Sequence, residues 1–145
     1  SSSLYDTDLY AWATGNAALI RSGRLDEVDF VHIAEELESM GRSERRALDS
    51  RLSVLLMHLL KWRHQPERRG ASWRATIKEQ RRCVQKLLTD NPSLKPQLPA
   101  MLADAYVDAV LHAVAETGLD EATFPEECPF ALADVLDAEF WPDPA

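Results

Sequence analysis

Cysteine, glycine and long apolar runs are all scarce in this chain. Two cysteines in 145 residues do not make a disulfide scaffold. Cys83 falls in a helical pattern and Cys128 precedes a proline, so both are expected as free thiols of a reducing cytoplasm. The five glycines form no Gly-rich loop of the kind that cradles phosphate. No window approaches the roughly 18 consecutive apolar residues of a membrane span, and the longest apolar stretch, Val54–Leu60, is interrupted by His58. Ser1-Ser2-Ser3 lacks the basic and apolar regions of a signal peptide. No run alternates apolar and polar residues for long enough to make a strand. Repeats and low-complexity segments are absent as well. A soluble cytoplasmic protein without a membrane partner is the expectation.

Positive charge is missing from both ends. Residues 1–41 carry two basic residues, Arg21 and Arg24, against eight acids, a net of −6. Residues 87–145 carry only Lys95 against 12 acids, a net of −11. The 13 Lys and Arg of residues 42–86 face four acids and leave +9 there. Such a basic middle either attracts an external polyanion or is neutralised by its own chain or a partner subunit.

Helical periodicity runs through the chain. A first helix is predicted from about Thr7 to Arg21, capped by Asp6 or Thr7 and closed by Gly23, with Leu9, Trp12, Ala13, Asn16 and Ile20 on one face. A second is predicted from Asp26–Asp29 to Gly41, with a stripe of Phe30, Ile33, Ala34, Leu37 and Met40. Ser43 then reads as the cap of a third, Glu44 to His64, whose Leu52, Leu55, Leu56, Leu59 and Leu60 mark it as central. Ser72 reads as the cap of a fourth, Trp73 to about Thr89, with Trp73, Ile77, Val84, Leu87 and Leu88 inward. A fifth runs to Thr117 through Leu98, Leu102, Ala105, Tyr106, Ala109 and Ala113, and Gly118 ends it. An irregular tail follows, with a short sixth helix near Phe130–Asp137 and a terminal Phe140-Trp141 that should pin it down. The expected fold is all-α: one single-domain helical bundle, residues 1–145, of about five main helices with an irregular C-terminal tail.

Several stretches taken together are distinctive. They are Leu4-Tyr-Asp-Thr-Asp-Leu-Tyr-Ala-Trp12, His32-Ile-Ala-Glu-Glu-Leu-Glu-Ser-Met-Gly-Arg-Ser-Glu-Arg-Arg46 and Leu59-Leu-Lys-Trp-Arg-His-Gln-Pro-Glu-Arg68. Ser72-Trp-Arg-Ala-Thr-Ile77 and Phe124-Pro-Glu-Glu-Cys-Pro-Phe130 complete the set. In combination, from about Leu4 to Pro142, the chain resembles a bacterial family known as domain-of-unknown-function family twenty-nine. The resemblance implies a small all-α protein and no established activity, so it transfers no catalytic residue. It marks Tyr5, Asp8, Trp12, His32, Glu36, Trp62, Gln65, Pro66, Trp73 and Arg74 as positions of the family pattern.

Three constellations bear on chemistry. His32 and Glu36 share a helix face, and with His58 they are a candidate mononuclear metal site. The plainer alternative, which the sequence favours, makes His32 a surface residue and His58 a hydrogen-bonded core residue. Glu36, one turn from Ile33 and Met40, is a candidate buried carboxylate beside Glu35 and Glu38; an ion pair with an Arg is the simpler account. Cys83 has Arg81, Arg82 and Lys86 nearby, yet its helical position suits an inert thiol. No catalytic triad, Glu-x-x-His or His-Glu-x-x-His motif is present, and no cofactor is implied.

The basic segment is the strongest lead. Lys61, Trp62, Arg68, Arg69, Trp73, Arg74, Lys78, Arg81 and Arg82 flank one helix–turn–helix corner, joined by Arg63, His64 and Lys86. Basic charge beside aromatics suits a nucleic acid or phosphoanion; ion pairs to acidic helices and buried tryptophans explain the same residues without a ligand. The absent catalytic motif and overall acidity favour a non-enzymatic interaction module that binds itself as a homodimer, or another protein. The nucleic-acid- or phosphoanion-binding module is the alternative, and a metal site on the bundle a distant third.

Overall fold

A computed structural model describes residues 3–145; Ser1 and Ser2, part of the stretch read as leaderless, lie outside it. The described residues form helices and no strands: α1 (Leu4–Thr7), α2 (Leu9–Arg21), α3 (Phe30–His64), α4 (Ala71–Asp90), α5 (Leu98–Thr117) and α6 (Leu132–Leu136), with 3-10 turns between them. The all-α class is as expected. The chain divides into two compact units, the first ending at Ser43 and the second running Glu44–Ala145.

In the first unit, Asp8 rather than Asp6 or Thr7 caps α2, its side chain accepting the Ala11 N–H at 3.0 Å. Asp6 and Thr7 instead belong to the single turn of α1. Gly23 closes α2 as expected: its φ of +75° suits a residue without Cβ, and the next N–H, of Arg24, returns to the Leu19 carbonyl at 2.9 Å.

The helix expected to end at Gly41 does not end there. α3 continues through Gly41 and Ser43 for 35 residues, so two predicted helices are one and four long helices replace five. Glycine ends a helix when it adopts positive φ, and among the described residues only Gly23 and Gly118 do so. At Gly41 the helix-favouring Met40, Arg42, Glu44, Arg45 and Arg46 offset a glycine cost of about 1 kcal/mol, and Glu38 sits 3.8 Å from Arg42 one turn on. Ser43 is therefore an interior residue and caps nothing. The apolar stripes predicted around this region are also largely outward. Trp12 is buried and Ile33 half-buried, whereas Leu9, Ile20, Phe30, Leu37 and Met40 are exposed.

The second unit holds the main core. Leu48, Leu52, Leu55, Leu56, Leu59 and Leu60 of α3 are completely buried, which is the central helix the leucine run predicts. They pack with Ile77, Val84 and Leu88 of α4 and with Leu98, Met101, Leu102, Ala105, Tyr106, Ala109, Val110 and Ala113 of α5. Leu87 and Trp73 are half-buried beside them. Pro92–Thr117, which holds an 18-residue window of mean hydropathy 1.3, is long and apolar enough to cross a bilayer by composition; its buried stripe makes α5 a core helix of this unit.

α4 starts two residues earlier than expected. Gly70 occupies the cap position in extended backbone, so Ser72 lies within the first turn and caps nothing. Gly118, at φ +73°, ends α5. The tail is pinned by its aromatics: Phe124 and Phe130 are buried, Trp141 packs on Trp62 at 4.7 Å between ring centres and Phe140 on Phe130 at 6.0 Å. Cys83 and Cys128 are free thiols, both half-buried.

Candidate functional site

The basic corner forms where the end of α3, the start of α4 and the tail meet. Pro66 cannot continue a helix hydrogen-bond ladder, so the chain turns through Pro66–Arg68 and re-enters helix at Ala71. Lys61, Trp62 and Arg69 thereby come together with the inner face of α4.

Most of the cations here are committed to the chain itself. Lys61 is buried and donates to Glu116 of α5 at 3.1 Å, with its ammonium 4.8 Å from the Trp73 ring centre. Arg69 donates from Nε to the Trp62 carbonyl at 2.7 Å and from Nη2 to the Pro142 carbonyl at 3.2 Å. The guanidinium groups of Arg69 and Arg74 lie 5.0 and 5.6 Å from the Trp62 ring centre. Arg81, only 4% exposed, donates from Nε to the Val135 carbonyl at 2.9 Å and from Nη2 to the Asp134 carbonyl at 3.4 Å. Its guanidinium lies 5.7 Å from the Trp141 ring centre, and burial lowers its pKa.

Arg63 extends the set. It lies 6.0 Å from the Phe130 ring centre, and its carbonyl accepts the Ala145 N–H at 3.2 Å. His64 packs edge-on against Phe124, and burial pushes its pKa down. The arginines thus act as a clamp on the carbonyls and aromatic faces of the tail. A guanidinium suits this use, because its fork of donors serves several acceptors while its plane lies over a ring.

Trp62, 6% exposed, is covered by Trp141, Arg69 and Arg74; it offers no open face for a base. Arg68, Arg74, Lys78, Arg82 and Lys86 remain on the surface. Lys78, Arg81 and Arg82 line a shallow depression of about 300 Å³ together with Gln85, Leu136 and Glu139.

The first unit contains a separate polar and aromatic cluster. Asp29 is its node. The carboxylate accepts the Trp12 indole N–H at 2.9 Å, the His32 Nδ1–H at 2.6 Å and the His32 backbone N–H at 3.3 Å. The Asp29 N–H donates to the Asn16 side chain at 2.8 Å. Tyr5 stacks on His32 with ring centres 4.0 Å apart and donates its hydroxyl to Glu36 at 2.5 Å. The hydrogen bonds from His32 and then Trp12 hold the Asp29 carboxyl below its usual value. The Asp29 bond in turn raises the His32 pKa. Tyr5 is pushed up to about 12, first by its bond to Glu36. The cluster ties α1 and α2 to the first turns of α3.

An Asp-oriented imidazole is half of an acid–base device, but among the described residues no serine, threonine or cysteine hydrogen-bonds to His32. Glu36 belongs with Tyr5 rather than with an arginine, and Glu35 and Glu38 are exposed. The three metal candidates have separate partners. His32 bonds Asp29, Glu36 bonds Tyr5, and His58, in the second unit, bonds the Val54 carbonyl at 2.9 Å with its pKa lowered by burial. No three His, Cys, Asp or Glu side chains among the described residues are grouped to hold a metal ion.

Sequence reasoning did not find Asp29 as the node, although a helix-cap Asp three residues before His32 is a usable signal. Nor did it find the tail carbonyls that engage the arginines, since any residue supplies a carbonyl.

The structure therefore defines a small all-α protein built around a tail clamp and a separate Asp–His–Tyr–Glu cluster. The chain belongs to the family described as domain of unknown function DUF29, which matches residues 4–141. No curated protein and no solved structure matches it.

Proposed function

We propose that this protein is a non-enzymatic interaction module that associates with a second copy of itself. The carrying observation is the exposed apolar face of the first unit. Ile20, Phe30, Leu37 and Met40 are 45%, 54%, 61% and 64% exposed. Ala13, Ala17, Ile20, Ile33 and Leu37 line a shallow apolar groove of about 200 Å³ with Trp12, Asn16 and Glu36. Helix stripes of this kind are normally covered, and a contiguous exposed patch marks an interaction surface.

Charge argues for a second copy as the cover. The segment around this face, residues 1–41, has a net charge of −6. The other unit presents Arg68, Arg74, Lys78 and Arg82 outward. A dimer that sets the acidic unit of each copy on the basic face of the other satisfies both surfaces twice. Sedimentation equilibrium tests it. The unaltered chain should be dimeric and the variant Leu37→Asp with Met40→Asp monomeric; a monomer at high micromolar concentration for the unaltered chain refutes the reading.

The same exposed cations favour a second reading, weak binding of a polyanion. Titration with single-stranded and duplex oligonucleotides at low salt addresses it. Such binding should fall steeply with salt and be lost in Arg74→Glu with Arg82→Glu.

A further inference from the structure

A groove of about 700 Å³ in the second unit runs along α5 and shares no residue with the self-association face. Its floor is Tyr106, Val110 and Phe124, all less than 10% exposed, and its lip is Val107 and Leu111, 60% and 54% exposed. Val107 and Leu111 are one turn apart, as are Tyr106 and Val110, so two apolar rows of α5 form one wall. Glu121, Ala122, Pro125 and Glu126 form the other.

This second wall is held in place before any partner arrives. Gly118 turns the chain back at positive φ. Asp120 caps the following 3-10 turn by accepting the Ala122 N–H at 3.0 Å. The Tyr106 hydroxyl donates to the Pro125 carbonyl at 2.6 Å, tying loop to helix across the groove floor. A preorganised groove avoids part of the ordering cost of association.

The acids that line the groove, Glu121 and Glu126, carry one sign of charge, and so does the stretch of chain around them. From Leu98 to Glu127 there are seven acids, Asp104, Asp108, Glu116, Asp120, Glu121, Glu126 and Glu127, and no Lys or Arg. Asp104, Asp108, Glu121 and Glu126 are exposed. Glu116 is the acid of this set that forms a salt bridge among the described residues, with Lys61. An apolar groove whose only charged lining residues are Glu121 and Glu126 repels nucleic acid and anionic lipid and complements a cation-flanked apolar ridge.

We propose that this groove is a docking site for a basic amphipathic helix of another protein. Its apolar side chains would sit between Val107, Leu111 and Phe124, and its Lys or Arg would meet Glu121 and Glu126.

The probe is a fluorescein-labelled synthetic peptide of leucine and lysine at amphipathic spacing, about 18 residues or five turns long, titrated with the full chain by anisotropy. The matching leucine and glutamate peptide is the control. The lysine peptide should bind and the glutamate peptide should not. Val107→Glu with Leu111→Glu should weaken binding tenfold or more, even though it adds negative charge. That sign separates groove docking from plain attraction to an acidic protein. Glu121→Lys with Glu126→Lys should weaken it several-fold and leave the apolar floor intact. The altered side chains are exposed, so circular dichroism should match the unaltered chain, and sedimentation should show the same oligomer, which keeps this test separate from that of self-association. Lysine-peptide binding that persists undiminished in the Val107 and Leu111 variant, or equal binding of the glutamate peptide, overturns the proposal. So does a failure of the lysine peptide to bind.

Discussion

Replacing Arg81 by methionine tests the tail clamp, because it keeps side-chain length and removes the charge and the donors. The Val135 carbonyl, on a completely buried residue, loses the donor at 2.9 Å, and an unsatisfied buried acceptor costs about 1–3 kcal/mol. The 3.4 Å contact to the half-buried Asp134 is long and replaceable by water, so it adds little. Loss of the cation over Trp141 adds about 1 kcal/mol. Against these stands the relief of burying a cation whose Nη1 has no partner, also of order 1 kcal/mol. The net expectation is a destabilisation of about 1–3 kcal/mol. Arg82→Met, at the exposed neighbouring position, should stay within about 0.5 kcal/mol. The assay is urea denaturation followed by circular dichroism and by tryptophan fluorescence, with amide exchange of α6 as the local readout. If both variants lose less than about 0.5 kcal/mol and exchange in α6 is unchanged, Arg81 is not holding the tail.

The fold carries three further expectations. Leu56→Ala, at a completely buried position of α3, should cost about 2–5 kcal/mol in chemical denaturation; a loss under about 0.5 kcal/mol contradicts its place in the core. Gly41→Ala should stabilise by about 0.4–1 kcal/mol, because Gly41 is helical and a Cβ there meets nothing within 4 Å; a lower denaturation midpoint would mean that the glycine bends or ends the helix. The Asp29–His32 pair should support the first unit most between pH 3.8 and pH 6.5, the ordinary values of its two groups. His32, raised, contributes fully below 6.5 and loses its contribution as pH rises through its higher folded value; Asp29, lowered, contributes fully above 3.8 and loses it as pH falls through its lower one. Amide exchange in α1 and α2 should therefore quicken on raising the pH beyond His32 titration, after correction for intrinsic rates. His32→Asn should remove that pH dependence, and its persistence in the variant would assign it elsewhere.

Much of this architecture is legible from periodicity. The leucines of α3 and the small and aromatic residues of α5 repeat at helical spacing and are buried as that spacing requires. The aromatic end of the tail likewise announces its own docking. Gly41 misleads because the same residue serves a helix end or a helix interior, and the choice rests on its φ and on the helix-forming residues Arg42 to Arg46 beyond it. The stripe from Phe30 to Met40 reads as inward because periodicity names a face without naming its cover. The basic corner is visible as charge, but its use is not. Arg81 and Arg82 are equivalent in the sequence pattern, and a rotation of about 100° along the helix puts one in the interior and the other in water. Val107 and Leu111 lie beside the alanine row of α5, and only the returning loop turns them into the lip of a groove.

A clamp built on carbonyl oxygens does not read side chains. Arg69 grips Pro142 and Arg81 grips Asp134 and Val135 through atoms that every residue possesses. Exchanging the Asp134 carboxylate for another small polar group leaves the acceptor where it was. Deleting a single residue between Val135 and Pro142 moves every later carbonyl by one position and forces a choice between the two arginines. The tail is therefore constrained in length and path far more than in composition, and drift along it should appear as substitutions rather than as insertions or deletions.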